Sequence, residues 1–186
     1  MKSTFRGFTM IEMIIIIILI GIIGSLAADM LFQGSGIYVK ETSRQTFISE
    51  SRSAFWKLMR ETQGQVSPEE FTLSDNKSLY LKNAKGDQID FQTINTGYIN
   101  MRKGTGNYNA LSNSLAFNTS GGFTFFNNSF SVINPGQSGL SSSQAQSVWL
   151  SKLEMVFAEG DDTVLFASHI YPHNFRFGKK MSYHYK

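Results

Sequence analysis

The chain has 186 residues, enough for one ordinary domain and too few for two full ones. Apolar residues make up 41% and charged residues 17%, but the two kinds are segregated: Met13 to Ala28 carry no charge, while the rest is polar and rich in Gly, Ser and Asn. That division excludes a plain cytosolic globule, a coiled coil throughout and a multi-pass membrane protein. Sixteen Phe, seven Tyr and two Trp are ample for a core, which argues against wholesale disorder. With no cysteine, the chain has neither a disulfide framework nor a Cys-based zinc site. The net charge of +3 is too weak to imply nucleic acid by itself. Two of the basic residues, Lys2 and Arg6, precede the apolar run; without them fifteen basic residues face fourteen acidic ones.

Phe8 to Ala28 form an apolar stretch broken only by Glu12. As a helix it would be roughly 30 Å long, the thickness of a bilayer core. The isoleucines would favour a strand on propensity, but a bilayer requires internally satisfied backbone groups, which favours a helix. Lys2 and Arg6 place the N-terminal side in the cytoplasm and send the remainder outward. An ordinary signal peptide would be cut near Ser25 to Ala28. Glu12 weighs against that: a carboxylate inside an apolar helix costs roughly 2.5–3.5 kcal/mol on insertion scales, so it calls for a partner and a purpose.

The run Arg6-Gly7-Phe8-Thr9-Met10-Ile11-Glu12, followed by the apolar helix, resembles the class III signal of type IV pilins and type II secretion pseudopilins. The resemblance covers about the first 35 residues. It implies cleavage between Gly7 and Phe8 by prepilin peptidase, N-methylation of Phe8, and a mature chain whose fifth residue is Glu12. The freed amine stays cationic and can meet a carboxylate. Glu12 of one subunit paired with the amine of a neighbour would offset its burial cost only on assembly, which makes it a register device. Tip-capping members of the family commonly lack this glutamate, so the resemblance also implies a further subunit above this one. Many major pilins carry a proline where this chain has Asp29; Gly21 sits where they often have glycine.

Beyond Phe32 the pattern turns amphipathic. Phe47 and Ile48, Ala54 and Phe55, then Leu58 and Met59 recur at helical spacing, and the aromatic stripe Phe47, Phe55 and Trp56 is expected to pack in the core against a sheet. No proline interrupts Phe8 to Gln63, which predicts a continuous helix of about 56 residues, weakest at Gly34 and Gly36. Gly64 and Pro68 mark the stop, and Ser67-Pro68-Glu69-Glu70 reads as a capping box. From Phe71 on, short antiparallel strands are expected. Residues 78–81 and 88–91 flank the turn Asn83 to Asp87; Tyr98 to Met101 and Ser114 to Phe117 follow; Gly122 to Phe126 and Phe130 to Ile133 flank an Asn-Asn-Ser turn. Asn134 to Ser147 reads as a long exposed loop, and Val148 to Ala158 pairs with Thr163 to Ile170 across Glu159 to Asp162.

The expected fold is α+β, a long N-terminal helix whose outer half packs on an antiparallel sheet head, as the pilin resemblance also implies. The segments are a cleaved leader (1–7), a transmembrane and assembly helix (8–33), an amphipathic half of the same helix (34–66) and a β-rich periplasmic head (67–186). Ser53 to Glu61 and the closing hairpin ending near His173-Asn174 look like minor pilins and the J-class pseudopilin. The expected function is a minor pilin or pseudopilin assembled into a type IV pilus or a type II secretion pseudopilus. Its partners would be prepilin peptidase, other pilin or pseudopilin subunits and an inner-membrane assembly platform. The chain would sit as a single-pass inner-membrane protein with a periplasmic or extracellular head. The alternative is a pilin-like subunit whose head captures DNA or a surface ligand.

Other chemistry is weakly marked. His169 and His173 are four apart, but Pro172 and the β pattern argue against a shared helical face and so against a metal. Asp161-Asp162 with Asp87 or Glu159 offer oxygen ligands of the kind Ca²⁺ takes, although hairpin turns are commonly acidic. No nucleophile elbow, Walker loop or dinucleotide fingerprint is present, so no enzyme, cofactor or metal is expected. Arg176, Lys179, Lys180 and Lys186, interleaved with Phe175, Phe177, Tyr183 and Tyr185, make a basic aromatic tail that could stack on bases, touch a neighbouring subunit or have no specific role.

Overall fold

The computed structural model describes residues 7–94, 97–116 and 122–177. The fold is α+β, and the chain divides into two compact units between Gln45 and Thr46.

The first unit is helical. Helix α1 (Met10–Gln63) starts here, and every described residue up to Thr46 is exposed. The helix runs unbroken through Gly34 and Gly36, so the expected weak point does not interrupt it. At both glycines a Cβ would meet nothing, so neither answers a packing need within the chain. Five β-branched residues in a row, Ile14 to Ile18, are poor helix formers in water. By length and composition α1 can cross a membrane, with a mean hydropathy of 2.7 over its most apolar window.

In the second unit, the end of α1 buries Phe47, Ser51, Ala54, Phe55, Leu58 and Thr62, one face at helical spacing. Phe55 stacks on Phe166 with ring centroids 5.4 Å apart. Trp56 departs from expectation: it is 62% exposed, because one residue beyond Phe55 is a rotation of about 100° off the buried face. Gly64 closes the helix by donating its N–H to the carbonyls of Arg60 and Glu61. The expected capping box at Ser67 is a short 3-10 helix, Pro68–Phe71, in which Ser67 Oγ accepts from the Glu69 N–H at 3.3 Å. This turn sends Phe71 fully into the core, against Phe125 and Phe175.

The sequence predicts one sheet; among the described residues there are two, each antiparallel and four-stranded. The first is a meander of β1 (Ser78–Lys82), β2 (Gln88–Ile94), β3 (Tyr98–Lys103) and β4 (Asn109–Ser112). Leu79 and Leu81 face inward and stand opposite Phe91 and Ile89. The turn between β1 and β2 is held by Asn83 Oδ1, which accepts from the N–H groups of Lys85 and Asp87, with Gly86 at φ 84°. On the other face of β2, the buried Asp90 accepts from Arg102, whose guanidinium lies 4.6 Å from the Tyr108 ring centre.

The second sheet contains β5 (Phe123–Phe126), β6 (Val132–Ile133), β7 (Leu150–Glu159) and β8 (Asp162–Ile170), in the order β6-β5-β7-β8. Phe123, Phe125, Leu153, Met155 and Phe157 fill its inner face. The turn from β7 to β8 spans only Gly160 and Asp161, since Glu159 and Asp162 already pair; Gly160 at φ 59° makes it possible. The strand expected at Ser114 to Phe117 is displaced to β4; Leu115 makes a lone bridge to Phe157, and Phe117 lies outside the described residues. Nor is Asn134 to Ser147 a plain loop. It contains the helix α2 (Ser142–Gln146), closed by a capping box in which Ser141 and Gln144 bond reciprocally, and it buries Leu140 and Ala145.

Candidate functional site: the start of the long helix

Gly7, Phe8 and Thr9 precede α1 and belong to no helix or strand; all three are exposed, Phe8 by 75%. A Cβ on Gly7 would meet nothing within 4 Å, so the fold itself makes no demand for glycine here. The Gly7–Phe8 bond thus lies in accessible, non-helical chain, immediately ahead of the apolar helix. Lys2 and Arg6 both lie outside the described residues.

Sequence reasoning gave Glu12 a partner in an α-amine and overlooked Thr9. In the structure Glu12 Oε2 accepts from the Thr9 N–H and from Thr9 Oγ1, both at 2.8 Å, and the Glu12 N–H donates to Thr9 Oγ1 at 3.3 Å. This is a capping box, with two of the helix's otherwise orphaned donors satisfied reciprocally. The signal was present as Thr9-x-x-Glu12 ahead of an apolar run. A carboxylate near a helix N-terminus is further favoured by the helix dipole. Within the single chain, then, Glu12 is held by Thr9.

No protein-family model, curated protein or solved structure matches this chain.

The remaining candidates are dispersed. His169 lies on β8, 6.1 Å from the Phe126 ring, and His173 opens a short 3-10 helix, His173–Phe177. Asp87 sits in the β1–β2 turn, whereas Glu159 ends β7, Asp162 opens β8 and Asp161 lies in the turn between them, in the other sheet. Asp87 is engaged by Lys103 Nζ at 2.9 Å. That hydrogen bond first, and one from Asn83 second, hold its carboxyl below the usual carboxylate range. No group of three or more His, Asp or Glu gathers among the described residues. In the basic aromatic tail, Phe175 is buried against Phe71 and Tyr171, so it is not free to stack on a base; Lys179, Lys180, Tyr183, Tyr185 and Lys186 lie outside the described residues.

Proposed function

We propose that the chain is a minor pilin or pseudopilin, cut by prepilin peptidase between Gly7 and Phe8, N-methylated on Phe8, and assembled through its N-terminal helix into a type IV pilus or type II secretion pseudopilus. The observation that carries this reading is the run Arg6 to Glu12, with the Gly7–Phe8 bond accessible ahead of a helix long and apolar enough to span a membrane. A glycine that the chain's own packing does not require supports a role in an external cleft, where the missing Cβ lets the backbone lie extended. The helix would anchor the subunit in the inner membrane with its head outside the cytoplasm, until a platform and neighbouring subunits draw it into a filament.

Mass spectrometry of the mature N-terminus tests the reading. The expected chain begins at N-methylated Phe8, and Gly7→Glu leaves the precursor uncut. A start near residue 28 would replace the reading with an ordinary secretory signal peptide.

A further inference from the structure

The head contains a pocket of about 370 Å³ where α2, the turn after β5 and the 3-10 helix His173–Phe177 meet. That volume lies in the range of small-molecule sites. Its walls include Asn128, Gln146, Ser147, Val148, Trp149 and Phe175, and no lining side chain is charged. Val148 and Phe175 are buried and form an apolar floor. Trp149, 42% exposed, is backed by Tyr171 at 4.9 Å between ring centroids, which limits the planes its indole can take.

The backbone N–H groups of Ser147, Val148 and Trp149 are spent on the carbonyls of Gln144, Ala145 and Phe126. Three lining side chains keep free capacity. Gln146 Nε2 donates to Glu69 Oε1 at 3.2 Å, which orients the amide and leaves its carbonyl oxygen open among the described residues. Ser147 Oγ donates to the Gln144 carbonyl at 2.7 Å and keeps its acceptor capacity. Asn128 accepts from Ser129 Oγ at 3.5 Å, and its amide nitrogen is open among the described residues. Asn128 sits in a turn stiffened by Asn127 Oδ1, which accepts from the N–H groups of Ser129 and Ser131.

We infer that this pocket binds a neutral saccharide, one pyranose ring lying against Trp149 with its hydroxyls met by Asn128, Gln146 and Ser147. A pyranose has an apolar C–H face suited to an aromatic ring, and a rim of hydroxyls that each need both donors and acceptors. Side-chain amides supply both. The absence of a cation in the lining disfavours phosphates and carboxylates, nucleic acid included. An extended peptide would draw on main-chain donors, and those of Ser147, Val148 and Trp149 are already bonded. The inference concerns the head alone and stands or falls independently of filament assembly.

The test uses the full chain in phospholipid nanodiscs, which avoids glycoside detergents, with Trp56→Phe so that indole emission reports Trp149 alone. Methyl glycosides of glucose, galactose, mannose and N-acetylglucosamine are titrated, beside an acetylated and amidated Ala-Val-Pro-Leu-Ala peptide. At least one glycoside should change the emission saturably. Asn128→Ala and Gln146→Ala, both at exposed or half-buried positions, should each raise the midpoint about three- to tenfold, the loss of one hydrogen bond. An oligosaccharide of the responding sugar tells a glycan chain from a free sugar by its tighter midpoint. The inference is overturned if no glycoside saturates, if both variants keep the original midpoint, or if only the peptide binds.

Discussion

At Glu12 a single carboxylate has two possible partners. Within one chain it is satisfied by Thr9; in the proposed filament it would exchange that cap for a neighbour's amine. The two roles separate by substitution, because glutamine can complete a capping box but cannot neutralise a cation. Glu12→Gln and Glu12→Val should both reach the membrane and be processed normally. Both should enter purified filaments at about a tenth of the wild-type level or less, the factor that ~1.4 kcal/mol of lost pairing represents. If Gln restores incorporation, the cap and not the charge is what assembly needs. A second residue-scale feature lies in the head. Gly139 sits at φ 84°, and a Cβ there would lie 2.2 Å from the Leu73 carbonyl oxygen. At Gly122 a Cβ would meet chiefly the flexible end of the Met155 side chain, with the Glu154 carbonyl oxygen next at 3.1 Å. Gly139→Ala should therefore lose at least about 2 kcal/mol in urea unfolding, and Gly122→Ala distinctly less.

At the scale of elements, the helix face is the clearest case of legibility. Phe47, Phe55 and Leu58 were readable because their spacing repeats the helical turn, and all three are buried. Phe55→Ala should cost about 3–5 kcal/mol, as a large-to-small change that also removes the stack on Phe166. Trp56→Ala should fall within about 0.5 kcal/mol of wild type, as an exposed side chain does. Thermal unfolding of the two variants side by side checks both. Trp56 shares the residue type of the stripe, but its angular position on the helix takes it off the buried face. For α2 the composition misleads: its Ser- and Gln-rich residues read as part of an exposed loop, although Ser141 and Gln144 carry the chemistry of a cap. Hairpins were legible where a turn residue and alternation agreed, as at Asn83, Gly86, Leu79 and Leu81. The split into two sheets was not. It depends on β5 pairing with β7 across an intervening helix, and on Asn109 to Ser112 forming a strand of weak intrinsic preference.

For the molecule as a whole, the exposed N-terminal helix and the packed head are different materials. All buried hydrophobic residues of the core lie at or beyond Phe47. A fragment starting at Gly34 should therefore be soluble, keep that core intact and unfold in one cooperative transition. Sedimentation and calorimetry would decide this; aggregation of the fragment would mean that the apolar helix contributes to the head's stability. The candidate processing site was almost wholly legible, since it is a linear motif that needs no long-range pairing. The saccharide pocket was invisible in the sequence because its walls come from segments far apart along the chain, Asn128, Gln146 and Phe175 among them.

The isoleucine run at the start of α1 also sets a schedule for synthesis. Ile14 to Ile18, flanked by Met13, Leu19 and Ile20, combine high β-propensity, no charge and no proline, the signature of segments that stack into steric zippers. In a bilayer the helix is enforced because the backbone has no other way to satisfy itself. In water that enforcement is missing. The segment leaves the ribosome well before Phe47 and the strands that could fold behind it. On the proposed reading, targeting has to be coupled to translation, and a nascent chain that misses the membrane is a seed for aggregation before it has a head to fold.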